Sequence, residues 1–74
     1  MRTFCVDFKD SWGGYRHLTA APTKARAIEK AFDAYLGDET LPAGSEVWIA
    51  DASHSGPGLW KFKRVDLAVV WTVP

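Results

Sequence analysis

The chain has 74 residues, of which 47% are hydrophobic and 14% aromatic, and nine basic side chains balance nine acidic ones. This length allows one small domain over residues 1–74, and a single cysteine excludes an internal disulfide framework. The apolar fraction excludes a wholly disordered chain, and zero net charge removes the simplest argument for nucleic-acid binding, which depends on cations that neutralise phosphates.

The N-terminal residues predict a β-hairpin. Phe4, Val6 and Phe8 alternate with polar or small residues over residues 3–9, which is the pattern of a half-buried strand. Residues 10–14 contain two glycines and predict a turn around Trp12. Residues 15–20 are then expected to return as the second strand.

A helix is predicted next, between Thr23 as its N-cap and Gly37 just after its end. Apolar residues recur there at three- and four-residue spacing and form one stripe. The stripe consists of Ala27, Ile28, Ala31, Phe32, Tyr35 and Leu36. Because a helix of three to four turns is marginal alone, it is expected to pack on the sheet.

The second half of the chain predicts strands again. Residues 46–51 form one strand, with Val47 and Ile49 on one face and Trp48 on the other. After a loop over residues 52–58, the stretch 59–73 is long for one strand. Its apolar residues change from even to odd positions, which predicts a bulge or bend at residues 63–66, in one bent strand or two short ones.

These elements give a β-β-α-β-β order, with a fifth strand as an option. The predicted fold class is α+β: an antiparallel sheet of four to five strands with one helix packed on one face. The helix stripe is expected to form the core with Phe4, Val6, Phe8, Val47 and Ile49.

Signs of catalysis are weak. If the hairpin closes around Trp12, Asp7 lies opposite His17 and shares a face with Cys5, which is the outline of an activated thiol. No signature of a cysteine hydrolase surrounds Cys5, and a strand cysteine is more often a small buried hydrophobe. Neither histidine, His17 or His54, has metal-ligand spacing with the cysteine. We therefore predict no enzyme, no metal and no cofactor.

The helix charges are arranged against the helix dipole. Lys24 and Arg26 lie in the first turn, whereas Asp33, Asp38 and Glu39 lie at or past the C-terminal end. Simple tolerance of exposed charges is one interpretation. The other is a polarised surface that orients docking on a partner.

A second basic cluster combines Lys61, Lys63 and Arg64 with Trp60 and Phe62. Cations beside aromatic rings suit single-stranded nucleic acid. In a regular strand, however, the rings point away from the two lysines. Core aromatics with solvated lysines on the outer face are the preferred interpretation.

The four tryptophans are too large for all of them to fit in the core of so small a domain. Trp60 and Trp71 follow alternating strand patterns and are predicted to lie in the core. Trp12 in a turn and Trp48 on the opposite strand face are expected to be exposed, covered by another chain, or covered by the loop 37–45 or the terminal strand.

The preferred function is a non-enzymatic module that binds a protein partner, or itself, through Trp12 and Trp48, with Lys24 and Arg26 setting orientation. By size and architecture alone, the chain looks like stand-alone α+β proteins with which phages and mobile elements block host machinery. The alternative is nucleic-acid binding through Lys61, Lys63 and Arg64, together with Lys24 and Arg26. A thiol-dependent enzyme at Cys5 is the third and least favoured function.

The expected location is the cytoplasm, or the host cytosol for a viral protein. A lone free cysteine suits a reducing compartment, and no signal peptide is visible. The longest apolar run, residues 67–71, is too short to span a bilayer, so no membrane partner is expected.

Overall fold

The computed structural model describes residues 1–67 of the chain. A hairpin of two nine-residue strands, β1 (Arg2–Asp10) and β2 (Gly13–Ala21), opens the fold. Asp10 pairs with Gly13 across the connecting residues Ser11 and Trp12. Gly13 has φ of 118°, a backbone conformation that favours glycine. The predicted hairpin is confirmed, with slightly longer strands.

The helix α1 covers Lys24–Leu36 and has both predicted caps. The Thr23 hydroxyl accepts the backbone N–H of Arg26 at 3.3 Å. At the other end, Gly37 has φ of 59° and donates its N–H to the carbonyl of Asp33 at 3.2 Å. These contacts satisfy backbone groups that the helix ends leave unpaired.

The second half contains β3 (Glu46–Asp51), a short 3-10 turn (Pro57–Leu59) and the two-residue strand β4 (Lys63–Arg64). The sheet order is β2-β1-β3-β4, and every neighbouring pair is antiparallel. The fold is therefore α+β, with a four-stranded antiparallel sheet and one helix, as the sequence predicted.

The core lies between α1 and one face of the sheet, which we call the helix-side face. Ile28, Phe32 and Tyr35 of the helix are partly buried against it. Its fully enclosed members come from β1, β2, α1 and β3. They are Phe4, Val6, Phe8, Ala21, Ala27, Ala31, Val47 and Ile49.

The end of the described chain departs from the predictions. The 3-10 turn over residues 57–59 lies mainly in the predicted loop 52–58. Within the described part of the predicted strand region, residues 59–67, strand pairing covers only residues 63–64. The predicted strand positions 69, 71 and 73 lie outside the described residues, as does Trp71. Trp60 is half-buried and is not part of the core, so its predicted core position is wrong.

The switch of apolar residues from even to odd positions near residue 63 does not come from a bulge. Arg64 pairs with Trp48 and Lys63 with Ile49 in regular register. Phe62 therefore shares the face of Trp48, whereas Val65 packs against the helix-side core. Both faces of the sheet take apolar side chains here, so ordinary alternation explains the switch. Among residues 1–67, no helix is long and apolar enough to cross a membrane.

Candidate functional site

Exposed aromatic rings meet where the hairpin turn approaches the end of α1. Tyr15 stacks on Tyr35 with ring centroids 4.6 Å apart and planes 6° apart. Trp12 meets Tyr35 edge-on at a centroid distance of 6.0 Å. We call these three residues the aromatic ledge. Trp12 is 54% exposed and Tyr15 is 36% exposed, so the ledge presents aromatic surface to solvent.

Asp10 fixes the aromatic ledge from behind. Its carboxylate accepts the backbone N–H of Trp12 at 2.9 Å and the hydroxyl of Tyr35 at 2.8 Å. Desolvation, followed by the bond to Asp10 and its charge, raises the pKa of Tyr35. Tyr35 therefore keeps its proton and remains a donor at neutral pH.

Phe8 supports the ledge from the core. It is 1% exposed, and its ring centroid lies 4.7 Å from that of Tyr35 and 6.1 Å from that of Tyr15. Tilted ring pairs at such distances are favourable beyond the area they bury. The ledge is thus continuous with the core and is part of the rigid fold.

The ledge lies at the acidic end of α1. Asp33, Asp38 and Glu39 are within one turn of Tyr35 along the chain, where the helix dipole is also negative. Lys24 lies at the opposite end of α1, roughly 16 Å away at 1.5 Å per residue. The structure therefore separates Trp12 from the basic residues with which the sequence analysis combined it.

Arg26 and Trp48, the other predicted partner-binding residues, also lie away from the ledge. Arg26 pairs with Glu29 at 2.9 Å on the helix surface. Trp48 is half-buried on the sheet face opposite α1, where its indole N–H donates to Glu46 at 3.1 Å. Lys9 lies over its ring, with Nζ 5.8 Å from the centroid. The four predicted residues do not form one surface.

Arg16 organises the face opposite α1, which we call the outer face. Its guanidinium binds both carboxylate oxygens of Asp7, at 2.7 and 2.8 Å. The same group lies over Trp60 and Phe62, with its central carbon 5.8 and 5.4 Å from the ring centroids. Hydrogen bonding to Asp7 and its charge raise the pKa of Arg16. Residues before β4 thus cover an outer face that would otherwise be open.

The expected pairing of Asp7 with His17 is wrong, although Cys5 and Asp7 do share one face of β1. Asp7 lies opposite Arg16, while His17 lies opposite Val6 and faces α1. Cys5 is fully buried, with Sγ 3.7 Å from the Asp7 carboxylate. Burial, and next the Asp7 charge, raise its pKa to about 11, although Arg16 opposes the shift. A protonated, enclosed thiol is a poor nucleophile.

The second basic cluster lies at the sheet edge farthest from β2. Lys63 and Arg64 pair with Ile49 and Trp48, so their side chains leave opposite faces of the sheet. Trp60 donates its indole N–H to the carbonyl of Ser55 at 2.8 Å, and Arg16 lies over its ring. The stacking platform that single-stranded nucleic acid needs is therefore already occupied on this face.

Neither metal-ligand groups nor similarity to known proteins indicates a further site. Among residues 1–67, no group of three or more His, Cys, Asp or Glu side chains is placed to hold a metal ion. No family model matches the chain, and no curated protein or solved structure does. Function therefore has to be inferred from the chain's own geometry.

Proposed function

We propose that the protein is a non-enzymatic module that binds a protein partner through the aromatic ledge. The observation that carries this proposal is the solvent exposure of Trp12 and Tyr15 on a rigid support. Tryptophan and tyrosine are the residues that most often dominate binding energy in protein interfaces. Their large rings bury apolar area while the indole N–H and phenol O–H remain available for hydrogen bonds.

Preorganisation supports the proposal. Asp10, Phe8 and the Tyr15–Tyr35 stack hold the ledge rings in place in the free protein. A side chain immobilised only on binding costs about 0.5–1.5 kcal/mol of affinity. Rings that are already fixed avoid much of that cost, as in paratopes that use tyrosine and tryptophan as anchors.

Charge defines the chemistry of the partner. Asp33, Asp38 and Glu39 lie at or just past the same end of α1 as the ledge, so a basic surface is the complementary one. Lysine or arginine side chains of that surface would also gain cation–π contacts with the exposed rings. Lys24 at the far end of α1 gives the domain a dipole-like charge distribution that orients the encounter.

Protein is favoured over nucleic acid because the two basic clusters lie apart. Lys24 is at the start of α1, which follows β2 directly, whereas Lys63 is on β4 at the opposite edge of the sheet. Phosphate binding is strongest where many cations act together on one surface. The cytoplasm is the proposed location, because the single free Cys5 suits a reducing compartment. Inhibition of a host defence complex is one concrete form of the function.

The test is capture of tagged protein from its native cell, with nuclease treatment, followed by binding measurements on the purified partner. Trp12→Ala and Tyr15→Ala should each weaken binding at least about 30-fold, the range of an interface hot spot. Leu59→Ala is the matched control, because Leu59 is 74% exposed and belongs to the 3-10 turn, not to the ledge. Equal binding by all the variants, or binding abolished by nuclease, would overturn the proposal.

A further inference from the structure

β2 is an edge strand whose outer hydrogen-bonding groups can be assigned. Thr3 directs both backbone groups toward the β3 side: its N–H donates to the Ser53 hydroxyl and its carbonyl accepts the Ala52 N–H. Antiparallel strands alternate their bonding direction, so Phe4 and every second residue of β1 face β2. The residues of β2 that pair with Thr3, Cys5, Asp7 and Lys9 must then direct their backbone N–H and C=O groups away from β1, toward the open edge.

The β2 residues whose backbone groups face the open edge are Gly14, Arg16, Leu18 and Ala20. An independent contact agrees with this assignment, because Lys30 reaches from α1 to donate to the Ala20 carbonyl at 2.8 Å. Among residues 1–67, no strand pairs with this edge. The backbone N–H and C=O groups of residues 14, 16 and 18 therefore form a row available to another strand.

Features that usually protect a sheet edge are scarce here. The β1–β2 register runs without a bulge from Arg2 to Asp10, and β2 contains no proline. Leu18 is 53% exposed on this strand. The charge of Arg16 is neutralised by Asp7 through two hydrogen bonds. A long, regular and partly apolar edge favours strand addition.

We propose that β2 pairs antiparallel with β2 of a second copy of this chain, about a two-fold axis at His17. This register places Arg16 of each copy opposite Leu18 of the other, so each pair exchanges both of its backbone hydrogen bonds. The two four-stranded sheets become one continuous eight-stranded sheet. The proposal does not depend on what the aromatic ledge binds.

Side-chain chemistry favours a second copy as the occupant. In the chosen register, the exposed Leu18 lies beside the aliphatic stem of a neutralised Arg16 from the other copy. Zero net charge means that two copies do not repel each other overall. A register centred on Arg16 would instead place the exposed Leu18 opposite Gly14, which has no side chain to cover it. The Ala20 carbonyl can keep Lys30, because a carbonyl oxygen has two lone pairs.

Pairing through one strand edge buries little surface, so the dimer should depend on concentration. Sedimentation velocity should show a shift from the 8.2-kDa chain to twice that mass as concentration rises toward the millimolar range. Leu18→Lys places a charge on the edge and should abolish the shift. Leu59→Lys makes the same change at an exposed site outside β2 and should leave it intact.

Cross-linking tests the register directly. In His17→Cys, the new thiols of two copies face each other in a non-hydrogen-bonded pair, where Cα atoms lie about 4.5 Å apart and a disulfide fits. Thr19→Cys, on the same strand face, should cross-link at least about 10-fold more slowly. The native Cys5 does not interfere because it is buried.

A monomer at every concentration, or equal cross-linking by the two variants, would overturn the proposal. These results are independent of whether the aromatic ledge binds a protein partner. Trp12→Ala leaves β2 unchanged and should keep the dimer even if it loses a protein partner. Conversely, Leu18→Lys should become monomeric and keep the ledge.

Discussion

Phe8 offers the sharpest test of how the core supports the aromatic ledge. It contacts three rings, those of Tyr15, Tyr35 and Phe32, with centroid distances of 6.1, 4.7 and 5.4 Å. Phe4 lies on the same face of β1 and is also fully buried in the core, yet among residues 1–67 no aromatic ring pairs with it. The Arg2 guanidinium lies 5.0 Å from its ring centroid. The two positions therefore form a matched pair.

Phe4→Leu and Phe8→Leu remove the same chemical group from equally buried sites. Each should lose about 1 kcal/mol of stability through reduced apolar burial and packing. Phe8→Leu also loses ring–ring interactions, which contribute about 0.5–1.5 kcal/mol per pair beyond area. Because leucine keeps part of the contact, we expect Phe8→Leu to cost about 1–2 kcal/mol more than Phe4→Leu.

Urea denaturation followed by far-UV circular dichroism measures this difference. In a domain of this size, about 1 kcal/mol corresponds to roughly 4–8 °C in Tm, so thermal melts provide a second reading. Near-UV circular dichroism should change strongly only in Phe8→Leu, since that variant loosens the Tyr15–Tyr35 stack. Equal destabilisation of the two variants, with an unchanged near-UV spectrum, would refute the idea that Phe8 supports the ledge.

Three further predictions concern the Cys5 thiol, the Asp51 carboxylate and the N-cap of α1. Cys5 should resist a thiol reagent in the folded protein at pH 8 and react after denaturation, because burial raises its pKa to about 11 from 9.0. Above pH 9 the thiol ionises in the unfolded chain but stays protonated in the folded one, so the free energy of unfolding should fall by up to roughly 3 kcal/mol as pH rises from about 9 to about 11. Cys5→Ala should remove this loss in urea titrations at alkaline pH. The backbone N–H and hydroxyl of Ser53 lower the pKa of Asp51 below 3.8. The Asp51 carboxylate therefore stabilises the fold above that pH, and this stabilisation is lost in acid. Asp51→Asn should make the free energy of unfolding less dependent on pH in the acid range. Thr23→Ala should cost about 1 kcal/mol in urea denaturation by removing the N-cap of α1, and an unchanged midpoint would contradict the capping role.

Local patterns were sufficient to predict most of the fold. Alternation at Phe4, Val6 and Phe8 gave the first strand its buried face, and Thr23 and Gly37 marked the helix ends because caps are local interactions. The strand over residues 46–51 was predicted with its observed bounds. These elements agree with their tertiary context, so local physics was a reliable guide to them.

Register was the main thing that local patterns did not determine. A turn one residue longer would place Asp7 opposite His17, whereas closure at Asp10–Gly13 places it opposite Arg16. A shift of one residue exchanges the two faces of a strand. That exchange removed the predicted thiol arrangement and created the Arg16–Asp7 pair, which the sequence analysis missed.

The aromatic ledge was only partly predictable. The turn position of Trp12 left exposure or coverage by another segment open, and in the structure Trp12 is 54% exposed. Tyr35 was assigned to the helix stripe, and no local signal places it beside Trp12, since the contact joins residues 23 positions apart in the chain. Strand alternation correctly predicted Trp48 on the face opposite Val47, where it lies under Lys9 and apart from Trp12.

The most direct test of the account is the affinity of the purified partner for Trp12→Ala, compared with the native chain and Leu59→Ala. The variant should remain folded, because Trp12 is 54% exposed in a turn, and should bind at least about 30-fold more weakly. Leu59→Ala should bind like the native protein. A folded Trp12→Ala protein with native affinity would contradict the central claim that the aromatic ledge is the binding surface.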